Sequence, residues 1–153
     1  MSEDLPEIVV SEEPSPADCE SIISGLAAYN ASRGPSPAFK PLAILLRDRV
    51  TGESIGGLLG KIVYGWAIID DLFVPEHWRG QSLGSPLLRK AEDIARAQKC
   101  VGFWLNTFEF QARGFYEKNG FEIFGELDHF PPGSKCYFMR KHFDPANSTP
   151  NFR

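Results

Sequence analysis

The chain has 153 residues, 42% of them hydrophobic and 24% charged, with a net charge of −4. That length suits a single domain with its own core, and the balance excludes a disordered or fibrous chain. No apolar run reaches the roughly 18 residues of a membrane helix, and the start M-S-E-D-L-P-E has no basic region ahead of an apolar core, so a cytoplasmic protein with no membrane partner is expected.

The charge is uneven. Residues 1–32 hold seven acidic side chains and no basic one, which leaves 13 acidic against 16 basic in the remainder. A mildly basic remainder suits a small anionic ligand; nucleic acid would want a clustered Lys/Arg face with exposed aromatics, and the sequence has no such stripe. The cysteines Cys19, Cys100 and Cys136 are odd in number and form no C-x-x-C pair, so neither a disulfide framework nor a metal site is expected. They read as buried or half-buried thiols in a reducing compartment. The histidines His77, His129 and His142 stand in no catalytic relation to them.

In chain order, Glu7 to Val10 reads as a short strand. A helix begins near Pro16 with Ile22, Ile23, Leu26, Ala27 and Tyr29 on its apolar side. N-A-S-R-G-P-S-P is a loop, and Pro41–Arg49 and Ser54–Val63 flank the turn V-T-G-E as a hairpin. Gly65–Val74 is nearly all apolar, predicts a central strand, and stops at Pro75, which cannot continue a ladder. Leu87, Leu88, Ala91, Ile94 and Ala95 recur at helical spacing, with Arg89, Lys90, Glu92, Asp93 and Arg96 outward. Val101–Thr107 reads as a strand, Glu109–Asn119 as a short helix stopped by Gly120, and F-E-I-F-G-E-L and K-C-Y-F-M-R-K-H-F as two more strands. Residues 1–143 are expected to form the domain and 144–153 a tail.

Between the central strand and the amphipathic helix lies W-R-G-Q-S-L-G-S-P-L-L, Trp78–Leu88. A helix start leaves its first N–H groups unpaired, and with the macrodipole they present about half a positive charge, which phosphate fits. Gly80 and Gly84 allow close approach and positive φ, Arg79 adds a formal charge, and Pro86 is tolerated in a first turn. Taken alone, the run reads equally as a solvated, glycine-rich loop.

Two consecutive strand–helix units extend that reading. R-G-Q-S-L-G, preceded by D-L-F-V-P-E-H-W, and A-R-G-F-Y-E-K-N-G-F together resemble the GNAT N-acetyltransferase superfamily, whose loop reads Arg/Gln-x-x-Gly-x-Gly/Ala. The order of elements agrees from about Ile8 to Phe143. Arg79 and Gly84 match the loop; Ser82 replaces its first glycine, and must hold a negative φ or carry strain. Glu109 stands where the family often has Asn. It reads either as favouring the N-terminus of its own helix or as facing a cationic acceptor.

The resemblance implies an α/β (α+β) GNAT fold: a mixed, twisted sheet of six or seven strands with about four flanking helices, splayed between the fourth and fifth strands, one ending at Val74 and the other near Thr107. It implies acetyl-CoA as donor and no metal. Pantetheine would pair with the backbone of Leu72, Phe73 and Val74. The pyrophosphate would sit on the loop of Arg79, Gly80, Gln81, Ser82, Leu83, Gly84 and Ser85, with N–H groups from Gln81 to Ser85 as donors. A backbone N–H near Val74 would meet the oxyanion, and Tyr116, at the family's tyrosine position, the departing thiolate; its other reading is a core aromatic beside Phe115 and Phe121. Asp70 and Asp71 are sent by strand alternation to opposite faces, so at most one faces the cleft; Asp71 reads as the base, a water chain would serve equally, and a strand carboxylate bound to a turn or a neighbouring cation is the other reading.

The resemblance implies an amine as acceptor, either a small molecule or an amino terminus. Trp66, Trp104, Phe108, Phe110 and Phe130 read as core or as an apolar acceptor pocket, and the loop His129–Ser134 sits where family members often shape that site and a dimer contact, so a homodimer is an expected partner. The alternatives are a non-catalytic acyl-CoA-binding module and, more weakly, a dinucleotide oxidoreductase, for which G-x-G-x-x-G is missing.

Overall fold

The computed structural model describes residues 4–143; the expected tail at 144–153 lies outside them. These residues fall into two compact units, divided between Ser36 and Pro37.

In the first unit, α1 (Pro16–Arg33) is started by a capping box: the Ser15 hydroxyl accepts from the Asp18 N–H, and the Asp18 carboxylate accepts from the Ser15 N–H. The Ser15 hydroxyl also donates to the Asp18 carboxylate at 2.7 Å, and this bond together with the one from the Ser15 N–H holds the Asp18 carboxyl below its ordinary pKa. Ile22, Ile23, Leu26 and Tyr29, the expected apolar side, are each more than half exposed. Glu7–Val10 forms no strand. Cys19, on α1, is exposed, whereas Cys100 and Cys136 are buried, and burial raises the pKa of Cys100.

The second unit holds β1 (Lys40–Arg47), β2 (Ser54–Val63), β3 (Trp66–Phe73), α2 (Gly84–Ala97), β4 (Gly102–Phe108), α3 (Arg113–Lys118), β5 (Glu122–Asp128) and β6 (Lys135–His142). A 3-10 turn, Glu76–Trp78, precedes the glycine loop. The six strands form one mixed sheet in the order β1-β2-β3-β4-β6-β5. The expected fourth and fifth strands are therefore β3 and β4, and three α-helices are present among the described residues. The β1–β2 hairpin closes on Asp48, whose carboxylate accepts the N–H groups of Val50 and Thr51, both at 2.8 Å. Those bonds lower its pKa.

One sheet face carries the core. Leu58 and Ile62 of β2, Ala67 and Ile69 of β3, Phe103 and Leu105 of β4, and Met139 of β6 pack with Leu88, Ala91 and Ala95 of α2 and Tyr116 of α3. Lys141 on β6 fastens α2 to the sheet through Glu92, at 2.8 Å. Burial pushes the Glu92 carboxyl up, but its bonds from Lys141 and Arg96 outweigh this and hold it below the ordinary range.

β3 and β4 are parallel and paired only at Trp66–Gly102, Ala67–Phe103 and Ile68–Trp104. Beyond those residues the strands part, so the expected splay is present. β3 also carries a bulge: Leu59 pairs with Asp71 and Gly60 with Ile69, leaving Asp70 as the extra residue. The bulge overturns the expectation that Asp70 and Asp71 face opposite sides. Ile69 and Leu72 both pack toward the core, three residues apart, so the two aspartates between them project from the face away from α2.

Candidate active site

The C-terminal end of β3, the glycine loop, the start of α2 and the residues at α3 enclose a cleft of about 400 Å³. Leu72, Phe73, Val74, Arg79, Gly80, Ser82, Leu83 and Gly84 line it, together with Trp78, Ala112 and Phe115. Most of the expected loop is thus brought together; Gln81 and Ser85 belong to the same turn without lining the cleft.

The loop's backbone explains why it suits an anion. Gly80 has φ +81° and Ser82 φ +57°, while Leu83 is right-handed at φ −74° and ψ −26°. A left-handed residue followed by a right-handed one makes successive N–H groups converge, the geometry of an anion nest. Ser82 therefore takes the strained alternative: a residue with a Cβ in this region costs about 1–2 kcal/mol. α2 begins directly afterwards with no side-chain cap and no acidic residue in its first turn. Its unpaired N–H groups and positive dipole end are left to a ligand.

Gly84 serves a different purpose. A Cβ there would stand 2.8 Å from the Phe115 ring, so this glycine lets α2 seat against α3. Phe115 and Ala112, which line the cleft from the α3 side, were not among the expected site residues. Their signal was the bare Gly84 itself, since a glycine at a helix start without positive φ implies a close neighbour. Arg79 reaches back, its Nε donating to the Val74 carbonyl at 2.9 Å with the guanidinium 5.7 Å from the Phe73 ring centre. Its charge is held at the cleft between the strand end and the loop.

Asp71 and Tyr116 do not line this cleft. Asp71 is exposed and borders a smaller apolar cavity of about 200 Å³ with Leu45, Leu59 and Phe73. Asp70 is tied to Lys61 at 3.1 Å. Tyr116 is buried in the core, edge-on to Phe115 and Phe121 with centroids at 5.2 and 5.5 Å, and burial pushes its pKa up to about 12.

Glu109 does not start its own helix. It lies at the end of β4, and α3 starts only at Arg113. Its carboxylate accepts from the Ser134 hydroxyl (3.2 Å) and the Lys135 N–H (3.1 Å), and its own N–H donates to the Lys135 carbonyl at 2.8 Å. Residues 108–111 instead form a turn, in which Gln111 Oε1 accepts from the Phe108 N–H and the Gln111 N–H donates to the Phe108 carbonyl, both at 2.9 Å.

Among the described residues no group of three or more His, Cys, Asp and Glu could hold a metal ion, and no helix is long and apolar enough to cross a membrane. Two features fit an acyl-coenzyme A. The facing edges of β3 and β4 beyond Ile68 and Trp104 are not paired with one another, so an extended chain can enter between them. The uncapped start of α2 and its nest supply donors for a diphosphate.

Comparison with known proteins agrees. The sequence model of the acetyltransferase (GNAT) family matches residues 12–121. Acetyltransferase Atu2258 of Agrobacterium fabrum is 35% identical over 118 residues, 77% of this chain and 85% of that protein. Blasticidin-S acetyltransferase of Streptomyces morookaense is 37% identical over 91 residues, 59% of this chain and 67% of that protein. A crystal structure ascribed to an acetyltransferase of Agrobacterium tumefaciens superposes with a TM-score of 0.85 at 32% identity, covering 90% of this chain and all of that one (100%). Another, ascribed to a streptothricin acetyltransferase of Bacillus anthracis and solved with acetyl coenzyme A, gives a TM-score of 0.57 at 26% identity, over 73% of this chain and 65% of that one.

Proposed function

Because this chain belongs to the GNAT acetyltransferase family and is an acetyltransferase acting with acetyl-CoA, we propose that its acceptor is an amine, attacked directly while donor and acceptor are bound together. The observation that supports the donor half of this reading is the uncapped, acid-free start of α2 beside the facing, unpaired edges of β3 and β4. In this reading the N–H groups of residues 82–85 and the Arg79 guanidinium hold the donor's diphosphate. The β3 edge at Leu72–Val74 lies along its extended arm, and the donor supplies the thioester.

The residues then have three tasks. Asp71, or water ordered by it, removes the proton from the attacking amine. A backbone N–H near Val74 faces the carbonyl oxygen where charge develops. Tyr116, buried directly behind cleft-lining Phe115, is the group we assign to the departing sulfur once the donor is bound, and its raised pKa defines how. With its phenol at about 12 and an ordinary thiol near 8.5, full proton transfer would be uphill by about 5 kcal/mol. Tyr116 thus acts by donating a hydrogen bond rather than by giving up its proton.

Small-molecule amines come first as acceptors, since one relative is named for blasticidin S. The test is release of free thiol from acetyl-CoA with a panel of amines including blasticidin S, for the native chain and Tyr116→Phe. Amine-dependent thiol release with N-acetyl product by mass spectrometry supports the reading. Acetylation of a hydroxyl acceptor in place of every amine refutes it.

A further inference from the structure

The end of β4 carries a cluster of rings that the proposed chemistry does not use. Phe108 stacks on Phe110 with centroids 5.3 Å apart and planes 9° apart, and meets Phe130 edge-on at 5.1 Å. Phe110 is 68% exposed and Phe130 46%. Single exposed aromatics need no explanation, but contiguous ones presented together mark a contact surface.

This surface is held rigidly. Phe108 and Phe110 belong to the Gln111-closed turn, and Phe130 to the loop between β5 and β6. Glu109 joins the two through its three bonds to Ser134 and Lys135. The Ser134 N–H, bonded to the Pro131 carbonyl at 2.9 Å, closes the turn that follows Phe130. Rings fixed in advance lose little freedom when they bind.

Its position is also telling. Ile68 and Trp104 are the last paired residues of β3 and β4. Phe73 lies five residues beyond Ile68, one of them the bulged Asp70, so it stands four levels up; Phe108 lies four beyond Trp104. Counted along the backbone, Phe73 and Phe108 thus stand at matching levels on opposite arms of the splay. Ala112, two residues after Phe110, lines the cleft itself.

We infer that the acceptor amine is carried on a flat, unsaturated ring that packs on Phe110 and Phe130 at the β4 side of the cleft, and that Glu109 is the positioning residue that keeps those rings in place. The inference rests on the acetyl-transfer reading for the ring's role as acceptor. Flat rings take the offset and edge-on arrangements that this cluster already shows, and a puckered saturated ring of the same size does not.

The test compares 2-phenylethylamine with 2-cyclohexylethylamine, which share the amine and the chain length. Saturable binding is followed by protein NMR with and without coenzyme A, and KM by thiol release. The phenyl amine is expected to bind roughly 3- to 10-fold more tightly. Phe110→Leu and Phe130→Leu should each remove most of that preference and leave coenzyme A affinity unchanged. Glu109→Ala should do the same, and Glu109→Gln, whose carbonyl oxygen still accepts, should restore it. Equal affinity for the two amines, no saturable binding of either, or a preference that survives in both leucine variants overturns the inference. So does a dimer that falls apart in sedimentation when Phe110→Leu is made with no ring preference in the native chain, since the rings would then be a seam between copies. Failure of coenzyme A to bind would overturn the acetyl-transfer reading separately.

Discussion

Along Trp66–Ile68 and Gly102–Trp104, β3 and β4 are bonded neighbours around Ala67 and Phe103, which are 0% and 1% exposed. Farther along the same two strands, the edges face each other unpaired and Phe73 is 54% exposed. The difference has a local cause: the extra residue at Asp70 shifts β3's outward and inward sides, and α2 starts beside the opening instead of covering it. The paired half supplies stability, and the parted half keeps main-chain groups available to a ligand. Substitutions should divide in the same way.

The largest effect is expected in the paired half. Phe103 stacks on Phe121 at 5.9 Å and meets Phe143 edge-on at 5.0 Å. Phe103→Ala should cost roughly 3–5 kcal/mol in urea unfolding, and a loss below about 1 kcal/mol would break the division. Next comes Gly84→Ala in the parted half. Pushing a methyl toward Phe115, 2.8 Å away, should cost about 1–3 kcal/mol. The cost should appear mainly as weaker coenzyme A binding, roughly 5- to 100-fold by calorimetry. Adding Phe115→Leu should restore part of it, because the clash is with that ring.

Tyr116 sits where the halves meet, buried in the core yet next in sequence to cleft-lining Phe115. A phenol raised from 10.0 to about 12 stays neutral in the folded chain after it would ionise in the unfolded one. Its contribution is complete below pH 10 and is lost as pH rises toward 12, roughly 2–3 kcal/mol in all. Tyr116→Phe should therefore flatten the alkaline fall in stability by that amount. It should also lower kcat about tenfold, the worth of a hydrogen bond to a charged atom, with coenzyme A affinity unchanged. A rate loss that tracks a Tyr116 ionisation near neutral pH would contradict the account. The smallest effect is Ser82→Gly. Relief of the positive φ, about 1–2 kcal/mol, is partly offset by the greater freedom of glycine when unfolded, so a net gain of about 0.5–1 kcal/mol in thermal unfolding is expected.

Much of this division was readable in the residues. The apolar run at Trp66–Phe73, the periodic Leu87–Ala95 and the intervening R-G-Q-S-L-G locate β3, α2 and the glycine loop between them. What escaped was whatever depends on a distant partner. Alternation cannot reveal a bulge, so Asp70 and Asp71 were sent to opposite faces. Glu109 was read as a helix-starting residue because its partners, Ser134 and Lys135, are 25 and 26 residues away. Glu7–Val10 has strand composition, but a strand needs a neighbour to bond with, and Ile8 and Val10 are almost wholly exposed. The apolar residues of α1 likewise follow helical spacing without being buried.

The central claim is that main-chain N–H groups at the start of α2 grip the diphosphate of coenzyme A. Titrating the 15N-labelled chain with coenzyme A tests it most directly. The account predicts saturable shifts concentrated on the amides of Gly80, Ser82, Leu83, Gly84 and Ser85, with the paired half of β3 and β4 unmoved. Binding that leaves those amides unshifted, or no binding at all, would contradict it.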